Sequence, residues 1–161
     1  MKGFAYKLML NDLSDIEIEE AQNYFSKRLS EMRLTEPADE VLRDFIDRAN
    51  ILREPTFGRV EFMHRTFQEF LTAQEVMEEN DVGFLADCAL KDGWRETILL
   101  AAGASLRQKD LKELLKKLIA KGDEMSDEEP KRLCYLLALA CSQMSVRLDD
   151  SSLQELVLSK V

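Results

Sequence analysis

The sequence is poor in the residues from which metal and nucleophile sites are built. Among 161 residues there is one histidine, His64, so a two-histidine metal helix is excluded. Cys88, Cys134 and Cys141 make an odd count with no CxxC pair, which argues against a disulfide framework and against a structural zinc site. Cys134 and Cys141 are seven apart and share one helical face, where free thiols serve as small, inert buried groups. A phosphate-cradling P-loop needs a Gly-Lys pair. The six glycines are followed by Phe4, Arg59, Phe84, Trp94, Ala104 and Asp123, so the chain has no such loop. No local nucleophile motif appears either, and the isolated chain is expected not to be an enzyme and to hold no cofactor. The longest strongly apolar run, Ile98-Leu99-Leu100-Ala101-Ala102, is far below the roughly 20 residues that cross a bilayer. With no secretory signal at the N-terminus, a cytoplasmic location is the simplest reading. Lys and Arg number 22 against 31 Asp and Glu, a formal charge of −9. That balance disfavours nucleic acid and anionic membrane surfaces as partners, because both are bound chiefly through cationic side chains.

What the sequence does have is hydrophobic periodicity. Its 45% hydrophobic and 33% charged residues suit a packed core under a solvated surface. Phe4, Ala5, Leu8 and Met9 stand at helical spacing from the first residues, with no lead-in loop, as though cut from a longer polypeptide. Ser14-Asp15-Ile16-Glu17 has the form of a capping box; the helix it opens is expected to bury Ile18, Ala21, Phe25, Leu29 and Met32. Thr35-Glu36-Pro37 starts a third helix, with Pro37 tolerated in the first turn. Its stripe Ala38, Val41, Leu42, Phe45, Ile46 and Ala49 is cleanly amphipathic. The period then changes. Ile51-Leu52-Arg53 and Arg59-Val60-Glu61-Phe62 flank the turn-forming Glu54-Pro55-Thr56-Phe57-Gly58, which predicts a β-hairpin. Three helices followed by one hairpin is the layout of a winged helix.

Helical spacing resumes after His64, with Phe67, Phe70, Leu71 and Met77 near one face. A short helix over 82–90 follows, then one opened by Asp92-Gly93 and running from Trp94 to Ala102, with Gly103 placed for a left-handed C-terminus. Leu111, Leu114, Leu115, Leu118 and Ile119 form a stripe that stops near Gly122. Ser126 to Pro130 starts a helix presenting Leu133, Leu136, Leu137, Ala140, Cys141 and Met144; Leu153, Leu156 and Val157 mark a last short one. The expected fold is mainly α: a winged-helix unit over 1–80 with one β-hairpin, then a helical unit over 81–161 built as a bundle or a helical-repeat segment.

The stretch Phe62-Met63-His64-Arg65-Thr66-Phe67-Gln68-Glu69-Phe70-Leu71-Thr72-Ala73 carries the functional reading. A strand running to His64 meets a helix for which Thr66 and Glu69 have capping-box spacing. Helix N-termini favour anions, and an imidazole N–H beside one adds a donor. In a purely structural role, His64 bonds a neighbouring carbonyl and the Phe67, Phe70, Leu71 stripe is core. The segment resembles the end of the winged-helix domain of NACHT proteins, a branch of the STAND class of P-loop ATPases. Phe62, His64, Phe67, Gln68, Glu69, Phe70 and Ala73 fill the places of that pattern. Trp94-Arg95-Glu96-Thr97-Ile98-Leu99-Leu100-Ala101-Ala102-Gly103 looks like the segment that often follows it in bacterial members. The resemblance covers 51–103 well, 1–50 by layout only and the rest hardly at all. It implies that His64 contacts the β-phosphate of ADP held by a nucleotide-binding domain of the same polypeptide, so that ADP and ATP are ligands of the parent protein and the chain is a regulatory part of a signalling switch of the kind used in bacterial stress response or defence.

Two other readings compete. Winged helices can place their third helix in DNA, but here that helix carries Asp39, Glu40, Asp44 and Asp47 against Arg43 and Arg48, which repels phosphate; Arg53, Arg59 and Arg65 are the only basic cluster in its favour. Alternatively the chain is a helical scaffold for protein partners, with the helices from Leu111 onward as the binding part.

Overall fold

The structure, a computed structural model, describes residues 1–79, 81–104, 107–144 and 151–161. Two compact units divide the chain, Met1–Gln68 and Glu69–Val161. The division falls inside a helix, earlier than the boundary at 80/81 expected from the order of the predicted elements. Helix α4 (Arg65–Glu78) is continuous through it, and its later buried residues Thr72, Ala73, Val76 and Met77 belong to the second unit. Asn80 itself lies outside the described residues.

The first unit runs α1 (Lys2–Leu10), β1 (Asp15–Glu17), α2 (Ile18–Glu31), α3 (Ala38–Asp47), β2 (Leu52–Thr56) and β3 (Arg59–Phe62). The predicted hairpin is present, and β1 joins its free side to make an antiparallel sheet of order β1-β3-β2, completing a winged-helix arrangement. Ser14–Glu17 is therefore not a capping box. Asp15, Ile16 and Glu17 pair with Glu61, Val60 and Arg59, and Ile16 and Val60 are both buried at the centre of the register. Asp15 stands opposite Glu61, like charges that would repel. Arg59 bonds Asp15, while Arg53 bonds Glu61 at 2.6 Å from β2, so each carboxylate has its own cation. The first N–H of α2, on Ile18, donates to the carbonyl of Gly58 in the hairpin turn at 2.9 Å, a backbone cap in place of the expected side-chain one. Gly58 adopts φ 81°, which a side chain at this turn would resist.

Aromatic rings fill the first core. Phe4 is fully buried with its ring 5.0 Å from Phe25, 5.3 Å from Tyr24 and 6.0 Å from Phe62; Phe45 extends the cluster from α3, 5.6 Å from Phe25. In α2, Ala21 and Phe25 are buried as expected, but Met32 is exposed, because the helix ends at Glu31 and Met32 is its cap. Pro37 likewise sits just outside α3, as its cap, with extended ψ 134°.

Helices α1 and α2 end alike. The N–H of Leu13 reaches back to the carbonyl of Leu8, and that of Leu34 to Leu29, both at 2.9 Å, around a left-handed residue: Asp12 at φ 53° and Arg33 at φ 58°. Glycine is the usual occupant of such a position. Asp tolerates it through local hydrogen bonding, whereas arginine has no such compensation and meets the Cβ clash in full. Arg33→Gly is therefore expected to stabilise the first unit by about 1 kcal/mol, read as a rise in the urea midpoint; an unchanged or lower midpoint would show that the Arg33 side chain contributes more than its backbone costs.

In the second unit, Asp81 caps α5 (Val82–Asp87) by accepting the Phe84 N–H at 3.0 Å. Two 3-10 turns, Cys88–Leu90 and Asp92–Trp94, lead into α6 (Arg95–Ala104). Trp94 is buried with its ring edge-on to Phe84, 5.1 Å away. The chain then forms α7 (Gln108–Asp123), α8 (Glu128–Met144) and α9 (Ser151–Lys160). All five predicted positions of the α7 stripe, Leu111 to Ile119, are buried. Gly103 is an ordinary helical residue of α6 rather than a left-handed terminus. The core face of α8 is also rotated from the expected one: Cys134, Tyr135, Leu137, Ala138, Cys141 and Ser142 are buried, while Leu133 and Met144 are exposed. In α9, Leu153 and Val157 are buried and Leu156 is not. The three free cysteines are buried, and burial pushes each thiol upward, Cys141 to about 12, which keeps them protonated and unreactive. No helix among the described residues is long and apolar enough to cross a membrane.

Candidate functional site

His64 lies in the two-residue link between β3, which ends at Phe62, and α4, which begins at Arg65. The link is pinned from both sides. The N–H of Met63 donates to the Ile51 carbonyl at 2.8 Å, and the N–H of Phe67 donates to the His64 carbonyl at 3.0 Å. The second of these bonds closes the first turn of α4, so the helix begins at Arg65 and Thr66 lies within that turn instead of capping it.

With its backbone held, the His64 side chain is exposed; its ring faces Phe67, 5.7 Å between centroids at 49°. Phe67 was expected in the core and is instead exposed beside the histidine, because the buried residues of this turn are Gln68 and Glu69. The buried Gln68 amide donates to the Leu13 carbonyl at 3.3 Å. Of the motif residues, then, Phe62 and Gln68 fasten the junction to its own unit, and His64 and Phe67 make its outer surface.

The electrostatics of this spot differ from those of the chain as a whole. The 14-residue α4 carries no acidic side chain in its first turn, and Arg65 is its first residue. The Arg65 guanidinium comes within 3.4 Å of the Met9 sulfur, which draws it along the α1 side of the junction. His64, Arg65 and Thr66 are consecutive exposed residues at a helix N-terminus, and donors of these types at such a place suit an anion. The basic character of Arg65 was visible in the sequence, but the lack of a first-turn acid depended on where the helix starts.

Arg53 and Arg59, near the hairpin, make ion pairs. Arg53 bonds Glu61, and Arg59 bonds Asp15 with Glu17 at 4.0 Å. Among the described residues no group of three or more His, Cys, Asp or Glu side chains is placed to hold a metal ion. No protein-family model, no curated protein and no solved structure matches the chain significantly, so the junction at His64 stands on its own geometry.

Proposed function

We propose that this chain is the regulatory winged-helix and helical part of a NACHT-type STAND ATPase, in which His64 helps hold the ADP-bound inactive state. The observation that carries the reading is the exposed imidazole at the strand-to-helix junction, beside a helix N-terminus free of first-turn acids. A diphosphate brought by a nucleotide-binding domain of the same polypeptide would meet the His64 ring N–H, the Arg65 guanidinium and the Thr66 hydroxyl. The residues present fit a phosphate group, since each can donate and none repels it. A contact made with one nucleotide state and lost in another supplies the differential affinity that a switch needs.

In the parent protein, His64→Ala is expected to speed ADP release by about tenfold or more, the equivalent of one charge-assisted bond of ~1.5–3 kcal/mol, and to raise basal signalling. Stopped-flow release of a fluorescent ADP analogue checks the first, and signalling output without stimulus the second. An unchanged release rate together with unchanged output would refute the proposal. The alternative reading as a protein-binding scaffold concerns the second unit and is compatible with this one.

A further inference from the structure

Helix α8 has more apolar surface than its own unit covers. Leu133, Leu136, Ala140 and Met144 follow a three-four-four spacing and lie on one side of the helix, next to the arc that enters the core. Leu133 and Met144 are 45% and 50% exposed, and Leu136 and Ala140 are half-buried. Where this stripe meets the 3-10 turn Cys88–Leu90 and the start of α6, the surface is concave. The hollow has room for about 100 Å³ and is lined by Ala89, Leu90, Leu133, Leu136 and Leu137, with Lys91, Asp92 and Arg95 at its edge. Leu90 is itself 38% exposed, so apolar side chains wall the hollow on both sides.

Charge identifies the kind of occupant. In a chain of net charge −9, this hollow is edged by two cations and one carboxylate. Neither cation has an ion-pair partner among the described residues, although carboxylates are abundant elsewhere on the surface. We propose that this groove docks an acidic amphipathic helix of a partner protein, which places a leucine-sized side chain in the hollow and carboxylates against Lys91 and Arg95. The size of the hollow matches one branched aliphatic side chain, and the exposed stripe running on to Met144 offers the one-sided apolar track along which a helix lays anchors at i, i+3 and i+7. A basic helix would bring its cations against Lys91 and Arg95 and be rejected. This inference does not depend on the reading of His64.

The test titrates the 161-residue chain with two short synthetic helical peptides. Both carry leucines at i, i+3 and i+7; the remaining positions are glutamate in one and lysine in the other. Trp94, the only tryptophan and one residue from Arg95, reports by fluorescence, and backbone amide shifts locate the contact. The expected result is binding of the glutamate peptide, with shifts confined to the 89–95 turn and the 133–137 segment. Leu133→Asp should weaken it about tenfold, and Arg95→Glu should weaken it and reverse the preference toward the lysine peptide. Both positions are exposed, so both variants are expected to fold, and Leu133→Ala serves as a milder second variant. No shifts up to millimolar peptide, equal affinity for the two peptides, or binding indifferent to both Leu133 variants would overturn the proposal. So would a concentration-dependent dimer in sedimentation that Leu133→Asp abolishes, since the face would then belong to a second copy of the chain.

Discussion

Phe4→Ala is expected to destabilise the first unit by about 3–5 kcal/mol, the range for emptying a buried aromatic site. Whole-domain stabilities are only about 5–15 kcal/mol, so most of the unit's margin would go. The Phe4 ring is fully buried and meets Tyr24, Phe25 and Phe62, one ring on β3 and two on α2. Its loss therefore leaves a cavity bordered by residues from separate elements, none of which can close it alone. Sheet and helices are both fastened to α1 through this ring. Urea unfolding followed by amide signals of the first unit measures the change, and Phe4→Leu, which keeps much of the volume, should recover a large part of it. A loss below about 1 kcal/mol for the alanine variant would mean that α1 is not a structural member of the unit. Because the chain has two compact units, a single global midpoint is not the right quantity, and each unit's signals must be fitted separately.

How much of this was legible beforehand depended on whether local sequence or a distant partner decides the structure. The helices α3 and α7 were readable because their stripes leave one choice of face: in α3 Leu42 is buried with Val41, Phe45 and Ile46 half-buried beside it, although Ala49 falls beyond the helix and is exposed, and in α7 all five positions from Leu111 to Ile119 are buried. The hairpin was readable from the change of period around Glu54–Gly58. Strand β1 was not. It is three residues long with one apolar side chain, Ile16, and it exists only because Val60 and Arg59 pair with it; locally, Ser14 and Glu17 look the same as a helix cap. The rotation of α8 is hidden from the sequence for a related reason. Its apolar residues extend over more of its circumference than one stripe, and the part that is buried includes Tyr135, whose ring closely approaches Gly122 on α7. At the candidate site, the position of His64 between strand and helix was evident in the sequence. The exposure of Phe67 beside it was not, since a phenylalanine at helical spacing is ordinarily core and only the burial of Gln68 and Glu69 turns it outward.

Gly122→Ala sets two effects against each other, and their sizes decide the outcome. Alanine in place of glycine inside a helix gains about 1 kcal/mol of propensity, and on that ground alone the variant would be more stable. But Gly122 is buried in the last turn of α7, and an added Cβ would stand 2.5 Å from Cε1 of Tyr135 and 3.0 Å from Cδ1. The ring is not free to retreat. Its hydroxyl donates to Asp123 at 2.6 Å, Lys160 lies over its face at 5.6 Å, and it is buried. The bond to Asp123 also drives the Tyr135 phenol up to about 12, while Lys160, and then Tyr135, hold the Asp123 carboxyl below its ordinary value. Moving the ring would break this network as well as the packing. Overlap of this kind typically costs ~1–3 kcal/mol, and loss of the hydroxyl bond about 1 more, so the variant is expected to be destabilised by about 2 kcal/mol net, seen in the unfolding of Trp94 and other second-unit signals. A double variant with Tyr135→Leu provides the control. Once the ring is gone, Gly122→Ala should turn neutral or stabilising, a coupling larger than independent sites show. If alanine at 122 is stabilising while Tyr135 is still present, the α7–α8 contact is looser than the close approach of ring and backbone requires, and the identity of residue 135 is not what orients α8.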